Sequence, residues 1–578
     1  MGPYRLIKPY LMANRYRILF GLGCLIVVDL LQLFIPRVIK RVVDTLSLLQ
    51  VDHRGLLVDA LVIMVLGLCI GIFRFFWRRS LLGTARSTEE ALRDRLFTHL
   101  QTLSPAYFDR MRTGDLMAHA TNDIQQVRMA AGMGLVALND AVFLGSAAIG
   151  FMSYINLELT LYVLIPMPLI VLGTRYFSRH MHRRYQRVQG AFSELTEAVR
   201  ERFAGIRVIM AYNAQAAECR TVERISNRYV RENVDLVKVT GAFFPLMVLL
   251  TNISMAIVLF QGGRQTIFAR ITPGDFVAFI SYLGLLTWPM MALGWVSNLI
   301  QRGRASLDRL DRIFSTRPAL VERADALPVR ALRDDIRFET VSFAYDANRG
   351  TVLQAIDLRI KSGTTLGIVG PPGAGKSTLL QLLMRLYDVN TGAIRIDSVD
   401  LRRLKITDLR ALFSIAPQEP FLFAGTIREN ITFGNPAISD DDLARAVRTA
   451  ALDATLAELS GGLDTVVGEK GIILSGGQKQ RVALARAMLN DAPVMVLDDP
   501  VSQVDTRTAA RIVEGLRALT ARKTLLIASH RLSALRHADR IIALENGRIV
   551  AAGTHDQLMA ENGYYAKAFR LQEIENAL

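Results

Sequence analysis

The chain of 578 residues has only three cysteines, Cys24, Cys69 and Cys219, and no two are close in sequence. That scarcity excludes a disulfide framework and a cysteine-based zinc site, so three free thiols are expected. Acidic residues are also short, 53 against 69 Lys and Arg, giving a formal charge of +16. Such an excess suits nucleic acid or the cytoplasmic loops of a membrane protein, and the positions of the arginines favour the second. The basic start, Met1 to Arg17, lacks a convincing cleavage site and the apolar segment behind it is long. It predicts a retained first membrane helix, not a signal peptide. What the chain has in plenty is apolar residues: 51% are hydrophobic, mean hydropathy is +0.26, and most lie before about Phe314. One compact core does not accommodate this length, so two or more domains are expected.

Six apolar segments approach the roughly 20 residues needed to cross a bilayer. They run about 18–38, 56–76, 134–155, 160–177, 244–261 and 276–299. The connections after the second and fourth are polar and arginine-rich, with Arg78, Arg79, Arg86, Arg93 and Arg95, then Arg179, Arg183, Arg184, Arg187, Arg200 and Arg202. Positive-inside logic puts both connections and the N-terminus in the cytoplasm, and six spans return the chain there. Arg37, Lys40 and Arg41 run against that pattern at the outer end of the first segment and are expected to line water. Breaks at Ser104 to Asp123 and Ala211 to Arg224 are where the membrane half would touch a cytoplasmic partner domain. Asp29, Asp59, Arg74 and Asp140 lie inside apolar segments, where ionisable groups face a cavity or a partner. Gly67 and Gly71 form a small-xxx-small pair suited to close helix packing.

From Ile336 the pattern changes to short β-like runs, turn residues and amphipathic helices, as in a soluble α/β domain. Residues 315–335, with Pro318 and Pro328, read as a linker between a 1–314 membrane domain and a 336–578 cytoplasmic domain. Gly370 to Thr378, Gly-Pro-Pro-Gly-Ala-Gly-Lys-Ser-Thr, follows an apolar strand and opens a helix. Gly370, Gly373 and Gly375 let backbone N–H groups close around phosphate oxygens. Lys376 reaches the terminal phosphates, and Ser377, followed by Thr378, ligates Mg²⁺. Val494 to Asp499 is an apolar strand ending in two carboxylates, with Asp498 placed to hold Mg²⁺. These motifs predict ATP and Mg²⁺ as ligands.

Between them lies Leu474-Ser475-Gly476-Gly477-Gln478-Lys479-Gln480-Arg481, and with it the chain resembles the ATP-binding cassette (ABC) transporters, whose signature motif this octapeptide matches. The resemblance covers nearly the whole chain. It implies a six-helix membrane domain fused to an α/β phosphate-loop domain, the half-transporter layout of an exporter. It implies that Tyr345 stacks on adenine, Gln418 senses Mg²⁺, His530 contacts the γ-phosphate and Asp505 closes the loop exchanged across a dimer. Gly468-Glu469-Lys470-Gly471 resembles the exporter-specific loop, and Thr113 to Leu116, Asn122-Asp123 and Gly205 to Ile209 resemble the segments around the family's coupling helices. In the family two cassettes pair head to tail, so Ser475, Gly476, Gly477 and Gln478 would complete the ATP site of a second half-transporter.

One position departs from the family pattern. The residue after the Mg²⁺ aspartate is normally the glutamate that polarises the attacking water, and here it is Asp499. Loss of a methylene withdraws the carboxylate by roughly 1.5 Å, and a 1 Å misplacement can cost on the order of 10²-fold in rate. With the unusual loop Pro500 to Asp505, this resembles the slow-site subunit of heterodimeric multidrug or lipid exporters, whose partner would carry the glutamate. The expectation is ATP-driven export of an amphipathic drug, lipid or peptide from the cytoplasm across a bacterial inner membrane, in contact with membrane lipid. A homodimeric exporter is one alternative, and an ATP-gated channel or regulator on the same scaffold is another. A soluble ATPase acting on nucleic acid is excluded by the six spans, and fusion of the two halves disfavours an importer.

Overall fold

In the computed structural model the apolar segments form helices far longer than the bilayer needs. The structure describes residues 3–48, 53–346, 350–468, 471, 473–518 and 523–577. Six helices are long and apolar enough to span a membrane: α1 (Arg15–Ser47), α2 (His53–Thr102), α3 (Thr113–Ile155), α4 (Leu157–Ala204), α5 (Gln215–Ile267) and α6 (Pro273–Ser315). At 1.5 Å per residue, helices of this length exceed a roughly 30 Å hydrocarbon core, so each extends beyond it. Helix α1 packs along α2, α4 along α5, and α6 against α1, α3 and α4. Their shared core contains Leu33, Met152, Ile170, Met247, Phe279 and Tyr282.

Polar side chains join these helices. The Tyr282 hydroxyl donates to the Leu33 carbonyl (2.9 Å), in the stretch of α1 loosened by Pro36. Asp44 of α1 accepts from Gly274 N (2.8 Å) and Thr272 Oγ1 (3.0 Å), satisfying donors at the start of α6. Buried Asp59 pairs with Arg41, Asn139 donates to Asp29 (2.9 Å), and Trp288 Nε1 donates to Asp140 (3.3 Å). Asp123, in a π-helical turn of α3, accepts from Ser306 (2.9 Å) and Arg309 of α6 and pairs with His119. Arg37, Lys40 and Arg41 line a cavity of about 520 Å³, with Arg37 over the rings of Phe151 and Tyr154. Gly67 and Gly71 face open space, with no close helix contact among the described residues.

The second compact unit comprises residues 318–578 together with 102–111. The membrane domain expected over 1–314 is thus interrupted, because the short helix Pro105–Phe108 groups with the second unit. The second expected break narrows to Tyr212–Ala214, since Gln215 onward is helix. The expected linker is not a free tether either. Leu327 exchanges backbone hydrogen bonds with Arg403 and Lys405, Leu332 is buried, and strand β1 already begins at Asp335.

Two sheets build this unit. Strands β1 (Asp335–Phe343), β2 (Leu353–Lys361), β4 (Thr391–Ile396) and β5 (Val399–Asp400) form an antiparallel sheet in the order β2-β1-β4-β5. Strands β3 (Thr365–Val369), β6 (Phe413–Ala416), β9 (Val494–Asp498), β10 (Thr524–Ala528), β11 (Arg540–Glu545) and β12 (Arg548–Gly553) form the second, ordered β12-β11-β3-β10-β9-β6. A small pair, β7 (Gly425–Thr426) and β8 (Val466–Val467), completes the set. All pairings from β11 to β6 are parallel, and β3, β9 and β10 are buried at every residue, which explains their uninterrupted apolar sequence.

Asp335 shows how the antiparallel sheet handles a buried charge. Its side chain is fully buried and accepts from Arg337 (2.9 Å) and from Arg359 on the neighbouring strand. Burial alone would raise its pKa, but the two guanidiniums hold it below the ordinary carboxylate value. Its contribution to stability is therefore complete above about pH 4, the unfolded value, and is lost as pH falls through the lower folded one. Asp335→Ala should cost this unit about 2 kcal/mol at neutral pH, read as a lowered thermal midpoint, and the deficit should shrink in acid.

Candidate active site

Parallel strands bring distant sequence motifs to one edge. In the order β3-β10-β9-β6, Ile368 and Asp498 both lie opposite Ala528, and Leu497 lies opposite Ala416. The phosphate loop after β3, His530 after β10, Asp498 and Asp499 at the end of β9, and Gln418 after β6 therefore emerge side by side. The carboxyl edge of such a sheet is where α/β proteins bind ligands.

The phosphate loop joins β3 to helix α7 (Lys376–Leu383). Gly373 and Gly375 have φ of +79° and +101°, values that side chains disfavour, and a Cβ on Gly375 would sit 2.6 Å from Leu353 Cδ2. Lys376 is buried and its Nζ donates to the carbonyls of Gly370 (2.7 Å) and Pro371 (3.1 Å), so its charge lies within the loop. Burial lowers its pKa, opposed by Asp498 and Asp499. Asp498 is shifted up by burial, opposed by a hydrogen bond from Ser377, with Asp499 adding to the rise. An all-oxygen set of hydroxyl, carboxylate and amide at Ser377, Asp498 and Gln418 fits Mg²⁺. Gln418 is exposed and makes no hydrogen bond with the described residues.

Asp499 has φ of +52°, the left-handed region in which aspartate is among the better tolerated residues. Its carboxylate is buried and accepts from the Ser529 hydroxyl and the His530 amide, both at 3.3 Å. The His530 carbonyl is fixed by Gln572 (2.6 Å). Ser475 caps helix α8 (Gly476–Leu489) in a capping box with Gln478, leaving Ser475 and Gly476 exposed at the helix start. A Cβ on Gly477 would collide with the Gln503 carbonyl, so glycine is required by a close backbone approach. Asp505 caps helix α9 (Thr506–Arg517) by accepting from Thr508 N (3.0 Å). Glu469 and Lys470 of the expected exporter loop lie outside the described residues.

The family model described as ABC transporter transmembrane region matches residues 18–290, and the one described as ABC transporter matches 353–502. A Bacillus subtilis (strain 168) protein described as a probable multidrug resistance ABC transporter ATP-binding/permease protein is 34% identical over 96% of this chain and 94% of its own length. The chain belongs to the ABC transporter family. The multidrug resistance-like ATP-binding protein MdlA of Escherichia coli (strain K12) is 33% identical over 97% of the chain and 95% of itself. A solved bacterial Atm1-family ABC exporter with ATP bound superposes with a TM-score of 0.77 at 26% identity, covering 97% of this chain and 99% of that one. This ABC transporter is an integral membrane ATPase coupled to transport, of the exporter type.

Two connections in the transporter's cassette were not readable from its motifs. The first is Gln480, one turn into the signature helix and buried. Its Nε2 donates to the Asp499 carbonyl (2.6 Å) and Ser502 Oγ (3.1 Å), and its Oε1 accepts from Gln503 N (3.1 Å). One amide thus fixes the signature helix to the catalytic strand end and to the loop after it. The second runs through tyrosines. The Tyr345 hydroxyl bonds Thr378 (3.0 Å) and Gln381 (2.9 Å) of the phosphate-loop helix. Its ring meets Tyr387 edge-on at 5.1 Å, and the Tyr387 hydroxyl donates to Asp109 (2.7 Å). Tyr345 is therefore connected to the segment that follows α2 in the chain. Sequence spacing carried no signal for either connection, because each depends on residues far apart along the chain.

Gln480→Leu leaves the Asp499 carbonyl and the Gln503 amide without this partner. We expect a stability loss of about 1–3 kcal/mol in thermal unfolding and a fall in ATPase turnover of at least tenfold. Unchanged turnover would separate the tie from the site.

Proposed function

We propose that this chain is the slow-site half of a heterodimeric exporter, retaining Mg·ATP at its own phosphate loop and completing the fast site of a different chain. Asp499 carries this reading. A carboxylate one methylene shorter than glutamate, bound by the Ser529 hydroxyl and the His530 amide of its own chain, reaches less far towards an attacking water. The exposed start of the signature helix, with its capping box intact, supports the second role: Ser475 and Gly476 are exposed, and with Gly477 and Gln478, half-buried beside them, can engage a partner's nucleotide. In this reading Lys376, Thr378 and the loop glycines hold the phosphates, Tyr345 stacks on adenine, and Ser377, Asp498 and Gln418 hold Mg²⁺. His530 contacts the γ-phosphate, and Asp505 belongs to the loop exchanged between cassettes. The partner carries glutamate where this chain has Asp499.

The transported substrate in this reading is amphipathic. Relatives described as multidrug resistance proteins and as an ATP-dependent lipid A-core flippase, the latter from Nitrosococcus oceani at 34% identity over 87% of this chain, support it. These relatives are bacterial, which supports placement in the bacterial cell membrane with the cassette in the cytoplasm.

The chain purified alone in nanodiscs should hydrolyse ATP slowly, and Asp499→Glu should raise the rate at least tenfold. In the assembled heterodimer, Lys376→Ala should chiefly shorten ATP retention, whereas Ser475→Arg should chiefly lower turnover. If the lone chain forms a dimer with transport-coupled turnover that Asp499→Asn abolishes, the division of labour is wrong.

A further inference from the structure

Within the membrane unit lies a cavity of about 320 Å³ that no step of nucleotide chemistry uses. It is enclosed by the N-terminal segment, the base of α1, and the cytoplasmic parts of α2, α3 and α6. Its walls are apolar, with Ile7, Leu81, Val127, Leu135 and Leu307 among them. Three lining residues carry polar side-chain groups: Thr84, Tyr4 and Arg304. The Thr84 hydroxyl is already satisfied by the Ser80 carbonyl (2.7 Å). Tyr4 and Arg304 are exposed, and Arg304 makes no ion pair or hydrogen bond with the described residues. Of the acidic residues beyond it on α6, Asp311 lies 4.0 Å from Arg5.

The depth of Arg304 identifies what it faces. It lies about five residues beyond the apolar stretch of α6, roughly 8 Å along the axis, which is the level of the lipid headgroups. The N-terminal segment beside it exposes Arg5, Lys8, Arg15 and Arg17 together with Tyr4 and Tyr16, the composition of a segment lying in an anionic interface. A volume near 320 Å³ falls at the lower end of ligand pockets, about 300–1,000 Å³, and suits one chain rather than two. The geometry points to a binding site for an anionic phospholipid of the cytoplasmic leaflet, with one acyl chain in the cavity and the headgroup phosphate on Arg304. Such a lipid joins the N-terminal segment to α2, α3 and α6, helices that otherwise leave this space unfilled.

Native mass spectrometry of the full-length protein, released from detergent with matched phosphatidylglycerol or phosphatidylcholine, tests the assignment. Wild type should retain one phosphatidylglycerol per chain at least tenfold more than phosphatidylcholine. Arg304→Gln should remove that preference, Arg304→Lys should keep most of it, and Ala131→Phe, which fills the cavity, should lower retention of both lipids. Arg304 is exposed, so its substitutions report even if Ala131→Phe fails to accumulate. Equal retention of the two lipids by wild type, retention of neither because a second protomer covers the cavity, displacement by inorganic phosphate alone, or unchanged retention in Arg304→Gln would each overturn it.

Discussion

Two carboxylates and a lysine, all buried, meet at the carboxyl edge of one parallel sheet, and the cassette is organised around that concentration of charge. Adjacent like charges out of water are costly unless each is bonded. Asp498 takes a hydrogen bond from Ser377, Asp499 turns towards Ser529 and the His530 amide, and Lys376 lies on two loop carbonyls. Burial nonetheless pushes Lys376 and Asp498 towards their neutral forms. The site is thus poised to gain from ligands: phosphate oxygens would replace carbonyls around Lys376, and a cation would relieve Asp498. Gln480 extends the same network to the signature helix, so the helix whose start would serve a partner's nucleotide is bonded to the carbonyl of Asp499.

The membrane half solves its own charge problem by using polar groups as joints. Asp44 satisfies donors at the start of α6 from α1, Asp59 pairs with Arg41 across α1 and α2, and Asp123 bonds Ser306 and Arg309 across α3 and α6. Each pairing joins two helices whose apolar faces alone would leave their axial positions loosely set. Breaking the Asp59 or Asp123 joint leaves a buried carboxylate unpaired, which makes these two discrete and not gradually deformable. Arg304 contrasts with all of them in having no ion-pair or hydrogen-bond partner among the described residues.

The glycine loop, the aspartates and the six apolar runs were legible in sequence because each is a local pattern with a local physical cause. The exact helix ends were not, since the polar extensions of α2 to α5 carry no hydropathy signal, although apolar residues at helical spacing in stretches such as 91–97 do mark them as helix. The place of 102–111 was equally hidden: its anchors join Tyr387 to Asp109, 278 positions apart, and Arg110 to Asp346. Arg37, Lys40 and Arg41, expected to line water, do line a cavity, but Lys40 also pairs with Asp275 and Arg41 with Asp59, partners that sequence spacing does not show. Gly67 and Gly71 meet no neighbour among the described residues of this chain, because spacing alone does not say where a neighbour lies. Asp505 shows a similar limit: the position expected at a dimer loop also serves as a helix cap within this chain.

Asp499 is the position where sequence and backbone bear on each other most directly. Its φ of +52° suits a short side chain whose oxygen can bond nearby backbone, and the His530 amide supplies that bond. A glutamate on the same backbone would carry its carboxylate past Ser529 and give up those bonds in exchange for reach. In the proposed division of labour that exchange is the point: an acid held by its own strand edge favours a closed, ATP-retaining site over a fast one. The Gln480 amide then bonds both the carbonyl of this residue and the Gln503 amide of the loop that follows, so retention at one site and the position of the signature offered to the other rest on the same few hydrogen bonds.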